Sequence, residues 1–79
     1  MNKYEEALSQ LELAIQLLVD EGPSGLSEKV EKIVGSMHGY GSLYPPHKTH
    51  ISQVIRLLAE NGVHDSKAAE HLNKAHECF

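Results

Sequence analysis

The sequence predicts an all-α fold: four helices arranged as two antiparallel helical hairpins in a small bundle. Apolar residues recur at steps of three and four in four separate segments, the spacing that stacks side chains on one helix face. Each segment is bounded by residues that start or stop helices. The link between the first two segments is about four residues, short enough to force antiparallel neighbours. The expected helices cover about 3–21, 24–38, 47–61 and 65–78, in one domain of 79 residues.

The first helix opens on Asn2-Lys3-Tyr4-Glu5, an N-x-x-E sequence with the form of a capping box. Glu5 and Glu6 then lie near the positive end of the helix dipole, where negative charge stabilises. Leu8, Leu11, Ile15 and Leu18 form its stripe, Tyr4 extends it backwards, and Ala7 and Ala14 fill the flank. Leu13 and Leu17 lie off that stripe, so the helix is apolar on more than one side and should be packed on more than one side. Gly22 and Pro23 end it, the glycine expected in the left-handed cap and the proline unable to continue.

Ser24 or Ser27 can cap the second helix. Leu26, Val30, Ile33, Val34 and Met37 make its stripe, with Glu28, Lys29, Glu31 and Lys32 opposite and Gly39 at its end. Residues 39–47, GYGSLYPPH, read as the one long irregular stretch. Pro46 suits the first turn of the third helix, and Thr49 offers a later cap. Ile51, Val54, Ile55, Leu58 and Ala59 follow, with Leu57 beside them, until Asn61-Gly62. Asp65 or Ser66 caps the fourth helix, with Val63 as a hydrophobic staple. Ala68, Ala69, Leu72, Ala75 and Phe79 face inward there, and the alanines allow a close helix approach. Residues 15–22 and 55–62 also match at an offset of forty, as Leu11 matches Ile51 and Ala14 matches Val54. That likeness fits a duplicated hairpin, or simply two helices with similar stripes and caps.

A chain of this length buries only about 60–65% of its unfolded surface, so the core is marginal without further support. The single cysteine, Cys78, excludes an internal disulfide framework and is expected as a reduced thiol near a fraying end. Net charge is −4, and Arg56 is the one arginine among seven basic residues. A basic stripe for nucleic acid is missing, so nucleic acid is not an expected partner. Glu5 and Glu6 stand where a signal peptide would be positive, and Gln10, Glu12 and Gln16 break any apolar span in the first helix. The expectation is a cytoplasmic chain with no membrane partner.

Six histidines are present: His38, His47, His50, His64, His71 and His76. Only His47 and His50 have a spacing that puts two imidazoles on one helical face, and a third metal ligand would have to come from elsewhere, with His38 and His76 as candidates. No cofactor follows from this, since neither E-x-x-H nor H-E-x-x-H occurs. The remaining expectation for these side chains is exposure, with some helix capping. Protonating all six moves the formal charge from −4 to +2 in mildly acidic solution, and minimum solubility should fall near the sequence pI of 5.8.

No catalytic constellation is recognisable. The carboxylates fall on polar faces or helix ends, and Ser42 in G-Y-G-S-L lacks the nucleophile-elbow pattern. The stretch RLLAENGVHDSKAAEHL, residues 56–72, resembles the first two helices of a helix-turn-helix DNA-binding unit, including the glycine between them. That resemblance implies a nucleic-acid-associated regulator. It covers this segment alone, in which Arg56 and Lys67 are the only basic residues against the several that contact phosphate, and the recognition helix expected next does not follow.

The expected function is therefore a small, non-enzymatic interaction or regulatory module, with a histidine-dependent metal- or ligand-binding module as the alternative. Tyr40, Leu43 and Tyr44 are the candidate partner-binding residues, because tyrosine buries area with few rotors and keeps a polar tip. The competing role for them is to plug the open end of the hairpins. Leu13, Leu17 and Leu57 are the candidate self-association surface of a homodimer built on the first helix.

Overall fold

A computed structural model describes residues 2–79. It contains α1 (Lys3–Glu21), α2 (Leu26–Tyr40), α3 (Pro45–Glu60) and α4 (Lys67–Glu77), and no strand among the described residues. The first helix begins as expected. Asn2 Oδ1 accepts from the Glu5 N–H at 2.8 Å, and Asn2 Nδ2 donates to Glu5 Oε1 at 3.0 Å.

Several ends differ from the sequence reading. Gly22 closes α1 in an extended conformation, φ −84° and ψ 168°, not in the left-handed one. Pro23 is the reason, since a residue before proline is driven away from the helical region. Neither Ser24 nor Ser27 caps α2. Gly25, at φ 85°, stands at its start with no side-chain cap. Gly39 does not end α2, which runs on to Tyr40 and stops at the left-handed Gly41. Pro45 and Pro46 start α3, so residues 39–47 shrink to a short turn, and the capping role offered to Thr49 is not needed.

The α3–α4 link is a Schellman motif. Val63 N–H bonds Leu58 O at 3.0 Å and Gly62 N–H bonds Ala59 O at 3.0 Å, with Gly62 at φ 75°. Val63 therefore closes α3 as well as packing on the core. Ser66, rather than Asp65, caps α4 by accepting from the Ala69 N–H at 3.2 Å.

The four helices form a ring in which consecutive helices touch and α4 closes back on α1. Tyr4 of α1 reaches Met37 at the far end of α2, and Ser36 of α2 reaches His47 at the start of α3. Ser52 of α3 meets His76 near the end of α4. Every adjacent pair is thus antiparallel. α4, not α3, is the second helix packed on α1, and Leu13 stays exposed. α1 and α3 stand at opposite corners, with no Cα pair within 8 Å.

The α1–α4 contact is the most extensive in the molecule. Ala7 and Ala14 on one helix and Ala68, Ala69 and Ala75 on the other are all buried. Small side chains let two backbones approach, which brings more of each helix out of water. Leu11, Met37, Ile51, Leu58, Leu72 and Val30 fill the centre. Ala59, placed on the α3 stripe by the sequence, is exposed. The forty-residue likeness extends to burial: Leu11, Ala14 and Leu18 are buried as Ile51, Val54 and Leu58 are, and Ile15 and Leu17 are half-buried as Ile55 and Leu57 are.

Candidate aromatic site at the α2–α3 turn

The turn between α2 and α3 is fixed from several sides. Gly41 N–H closes on Met37 O at 2.9 Å, and the same carbonyl accepts from the Tyr4 hydroxyl at 2.8 Å. The start of α1 is thereby tied to the end of α2. Tyr44 is extended, φ −120° and ψ 119°, as the following Pro45 requires. Pro45 and Pro46 occupy the first two helical positions, where a missing N–H leaves no bond unmade. His47 follows, and its N–H bonds Tyr44 O at 2.9 Å.

This backbone brings three rings together. Tyr40 and Tyr44 stack with centroids 4.0 Å apart and planes inclined by 20°. His47 presents its edge to both, 5.3 Å from Tyr44 and 6.0 Å from Tyr40. Tyr40 remains 55% exposed, whereas Tyr44 is half-buried and Leu43 is half-buried against the core. Leu43 thus lies where a plug would lie, Tyr40 lies at the surface, and Tyr44 joins the two.

His47 overturns the expectation of exposed histidines. It is 2% exposed, and its Nε2 lies 2.9 Å from Ser36 Oγ. Its Nδ1 is buried without a hydrogen-bond partner. Burial is the main cause that lowers its pKa from the ordinary 6.5, and the neighbouring His50 lowers it further. His50 is exposed, with ring centroids 6.4 Å apart. Two further histidines are half-buried and join helices: His71 Nδ1 meets Gln10 Oε1 at 2.7 Å, and His76 Nε2 meets Ser52 Oγ at 2.8 Å.

No protein-family model, curated protein or solved structure matches the chain.

His47 and His50 are the pair with metal-ligand spacing, and their ring centroids lie 6.4 Å apart. No group of three or more His, Cys, Asp or Glu side chains is placed to hold a metal ion among the described residues, and neither His38 nor His76 joins the pair. The helix-turn-helix likeness meets a different geometry. α3 and α4 stay together from Leu58 and Ala68, which line one cleft, to the Ser52–His76 bond. That is an αα-hairpin, whereas a helix-turn-helix pair crosses at about 90–120°.

The three leucines proposed for self-association do not form one surface. Leu13 is 46% exposed on α1. Leu17, half-buried, lines a cleft of about 440 Å³ between the end of α1 and the α3–α4 turn. Leu57, also half-buried, lies in the groove between α2 and α3, beside Ile33 and Val54. Cys78 is buried rather than frayed, and its Sγ donates to Lys74 O at 3.3 Å. Burial raises its pKa, with Glu6 adding to the rise and Lys3 opposing it. No helix among the described residues is long and apolar enough to cross a membrane.

Proposed function

We propose that the protein is a non-enzymatic, cytoplasmic interaction module whose partner-binding surface is the aromatic turn, with Tyr40 as its anchor. The exposed Tyr40 ring stacked on Tyr44 carries this reading. A large ring left in water is ordinarily mobile. Here its neighbour holds it, and Tyr44 is held in turn by Pro45 and by His47 beneath. A partner that covers Tyr40 therefore gains apolar burial while losing little side-chain freedom, the property that makes tyrosine a frequent hot spot. The carboxylates favour a binding role over acid–base catalysis: all are exposed except the half-buried Glu6.

The test compares Tyr40→Ser with the wild type as immobilised baits in a native cell extract, by quantitative identification of what each retains. Tyr40 is exposed, so the substitution should leave the helical spectrum and melting unchanged. A polypeptide held by the wild type should be lost from the variant by tenfold or more. Equal retention by both baits would remove the aromatic turn as the contact surface.

Self-association has its own supporting observation, the exposure of Leu13 on the outer face of α1. In this second reading a two-fold homodimer pairs that face with its own copy.

A further inference from the structure

We infer that His47 is a proton-operated latch: taking up a proton at its buried imidazole releases the Tyr40–Tyr44 pair from the end of the bundle while the four helices stay folded. As regulation of the surface named above, its biological consequence rests on that reading; the structural change does not.

Hydrogen-bond inventory makes the case first. A neutral imidazole has one N–H and one bare nitrogen, and an imidazolium has two N–H donors. The Ser36 hydroxyl serves Nε2, and nothing serves Nδ1. A bare acceptor in apolar surroundings is tolerable. A charged N–H in the same place, with no acceptor and almost no water, is not. Position adds to this. His47 is the third residue of α3, at the positive end of a helix of 16 residues, where a cation is repelled.

The groups around the ring offer no counter-charge. α2 contributes Ser36 and Tyr40, and the turn contributes Tyr44. α3 contributes His50, whose own protonation opposes that of His47. Lys29 and Lys32 of α2 share a groove with Ser36 and His50, so the nearby fixed charge is also positive. From α1, the Tyr4 hydroxyl bonds the Met37 carbonyl. The carboxylates of α1 and α4 are exposed apart from the half-buried Glu6, which lies against Cys78.

The closed turn therefore favours the neutral ring, and an opened turn restores the ordinary value of 6.5. The sign follows by linkage. The closed arrangement keeps its full advantage above pH 6.5 and loses it progressively as pH falls below that value. Opening is local because Tyr40 is the last residue of α2 and Tyr44 caps α3, joined by a short turn that begins at the left-handed Gly41, while the remaining turns of both helices pack on the core.

The experiment is a pH titration of the whole protein from 8 to 4.5, following the Tyr40 and Tyr44 ring resonances by NMR alongside far-ultraviolet helicity. The ring resonances should lose their stacking shifts with a midpoint below 6.5, while helicity is retained. His47→Phe, which fills the same space and cannot titrate, should abolish the transition. His50→Gln should retain it with the midpoint moved down, since removing a like charge makes the protonated ring less costly in the closed turn; this variant changes an exposed residue and keeps the test independent of how His47→Phe folds. Rings that stay stacked down to pH 4.5 would overturn the latch. So would a transition unaltered by both variants, or one in which helicity collapses together with the rings. Partner capture at pH 7.5 and 5.5 separates the two proposals: rings that open without loss of capture leave the latch standing and remove the contact surface.

Discussion

A methyl group at Gly22 would stand 2.6 Å from Leu18 Cδ2 and 2.8 Å from both Leu18 Cα and Leu18 O. Two of those atoms belong to the backbone of the preceding turn, so the helix end itself must shift. Gly22→Ala should lower stability by roughly 1–3 kcal/mol, the usual range for overpacking. Gly35 sits inside α2 with open space around it, and Gly35→Ala should raise stability by about 0.5–1 kcal/mol through helix propensity. Urea melts of the two variants should thus move in opposite directions; the same direction for both would show that local space does not decide the sign. Cys78 gives a second residue-level expectation. A raised pKa means little thiolate at neutral pH, so alkylation should be slow in the native protein and fast in denaturant. The associated stability is present below the thiol's unfolded pKa and declines as pH rises through the folded one. Equal alkylation rates in both states would contradict the buried thiol. At this scale the candidate site was partly legible. Tyr40, Leu43 and Tyr44 stand out by composition, but their division into surface ring, shared ring and core contact depends on the turn's exact path. His47 carried a usable signal: it precedes Ile51, Val54 and Leu58 at steps of four, three and four. Uncertainty about where α3 begins concealed it.

Between elements, the alanines of α1 and α4 decide how the bundle closes. Ala14 and Ala75, on the two helices in most extensive contact, are fully buried, whereas Ala59 of α3 is exposed. Ala75→Leu must push the two helices apart or force a poor rotamer, and should cost about 1–3 kcal/mol. Ala59→Leu adds the same atoms in solvent and should change stability by less than about 0.5 kcal/mol. Thermal melts of both variants check this, and equal effects would mean that the alanine seam does not set the helix spacing. The stripes and their spacing announced four helices because burial of one face is a property of each segment alone. Which helices become neighbours is not such a property. The second apolar face of α1 could equally have met α3 by its pattern, and the alanines of α4 are what permit the closer approach. Helix ends were legible where a side chain caps, as at Asn2 and Ser66. Of the ends that backbone conformation alone decides, Asn61-Gly62 was legible and those at Gly25 and Gly41 were misplaced.

At the level of the whole molecule, the exposed large hydrophobic residues are Leu13, Val19 and Tyr40 among the described residues. Scattered single residues of this kind are ordinary on a protein surface. A homodimer through α1 must therefore rest on Leu13 with help from the edge of Leu17, not on a broad patch including Leu57. Charge works against it as well. The exposed residues of α1 include Glu5, Glu12, Asp20 and Glu21, so two copies of this helix bring negative charge toward negative charge. Such repulsion is screened over about 10 Å at 0.1 M salt and over a few Å at 1 M. Apolar contact is not weakened by salt in the same way. The dimer should therefore be weak at low ionic strength and strengthen as salt is added, the reverse of an interface held by ion pairs. Sedimentation equilibrium at 20 mM and about 500 mM salt reads this directly. Leu13→Glu adds a charge at an exposed position and should leave a folded monomer at both. Leu17→Glu is a poorer probe, because Leu17 packs on the core and its loss would confuse unfolding with dissociation. A wild type that stays monomeric at both salts, or a Leu13→Glu variant that dimerises as well as its parent, would remove the α1 face from consideration.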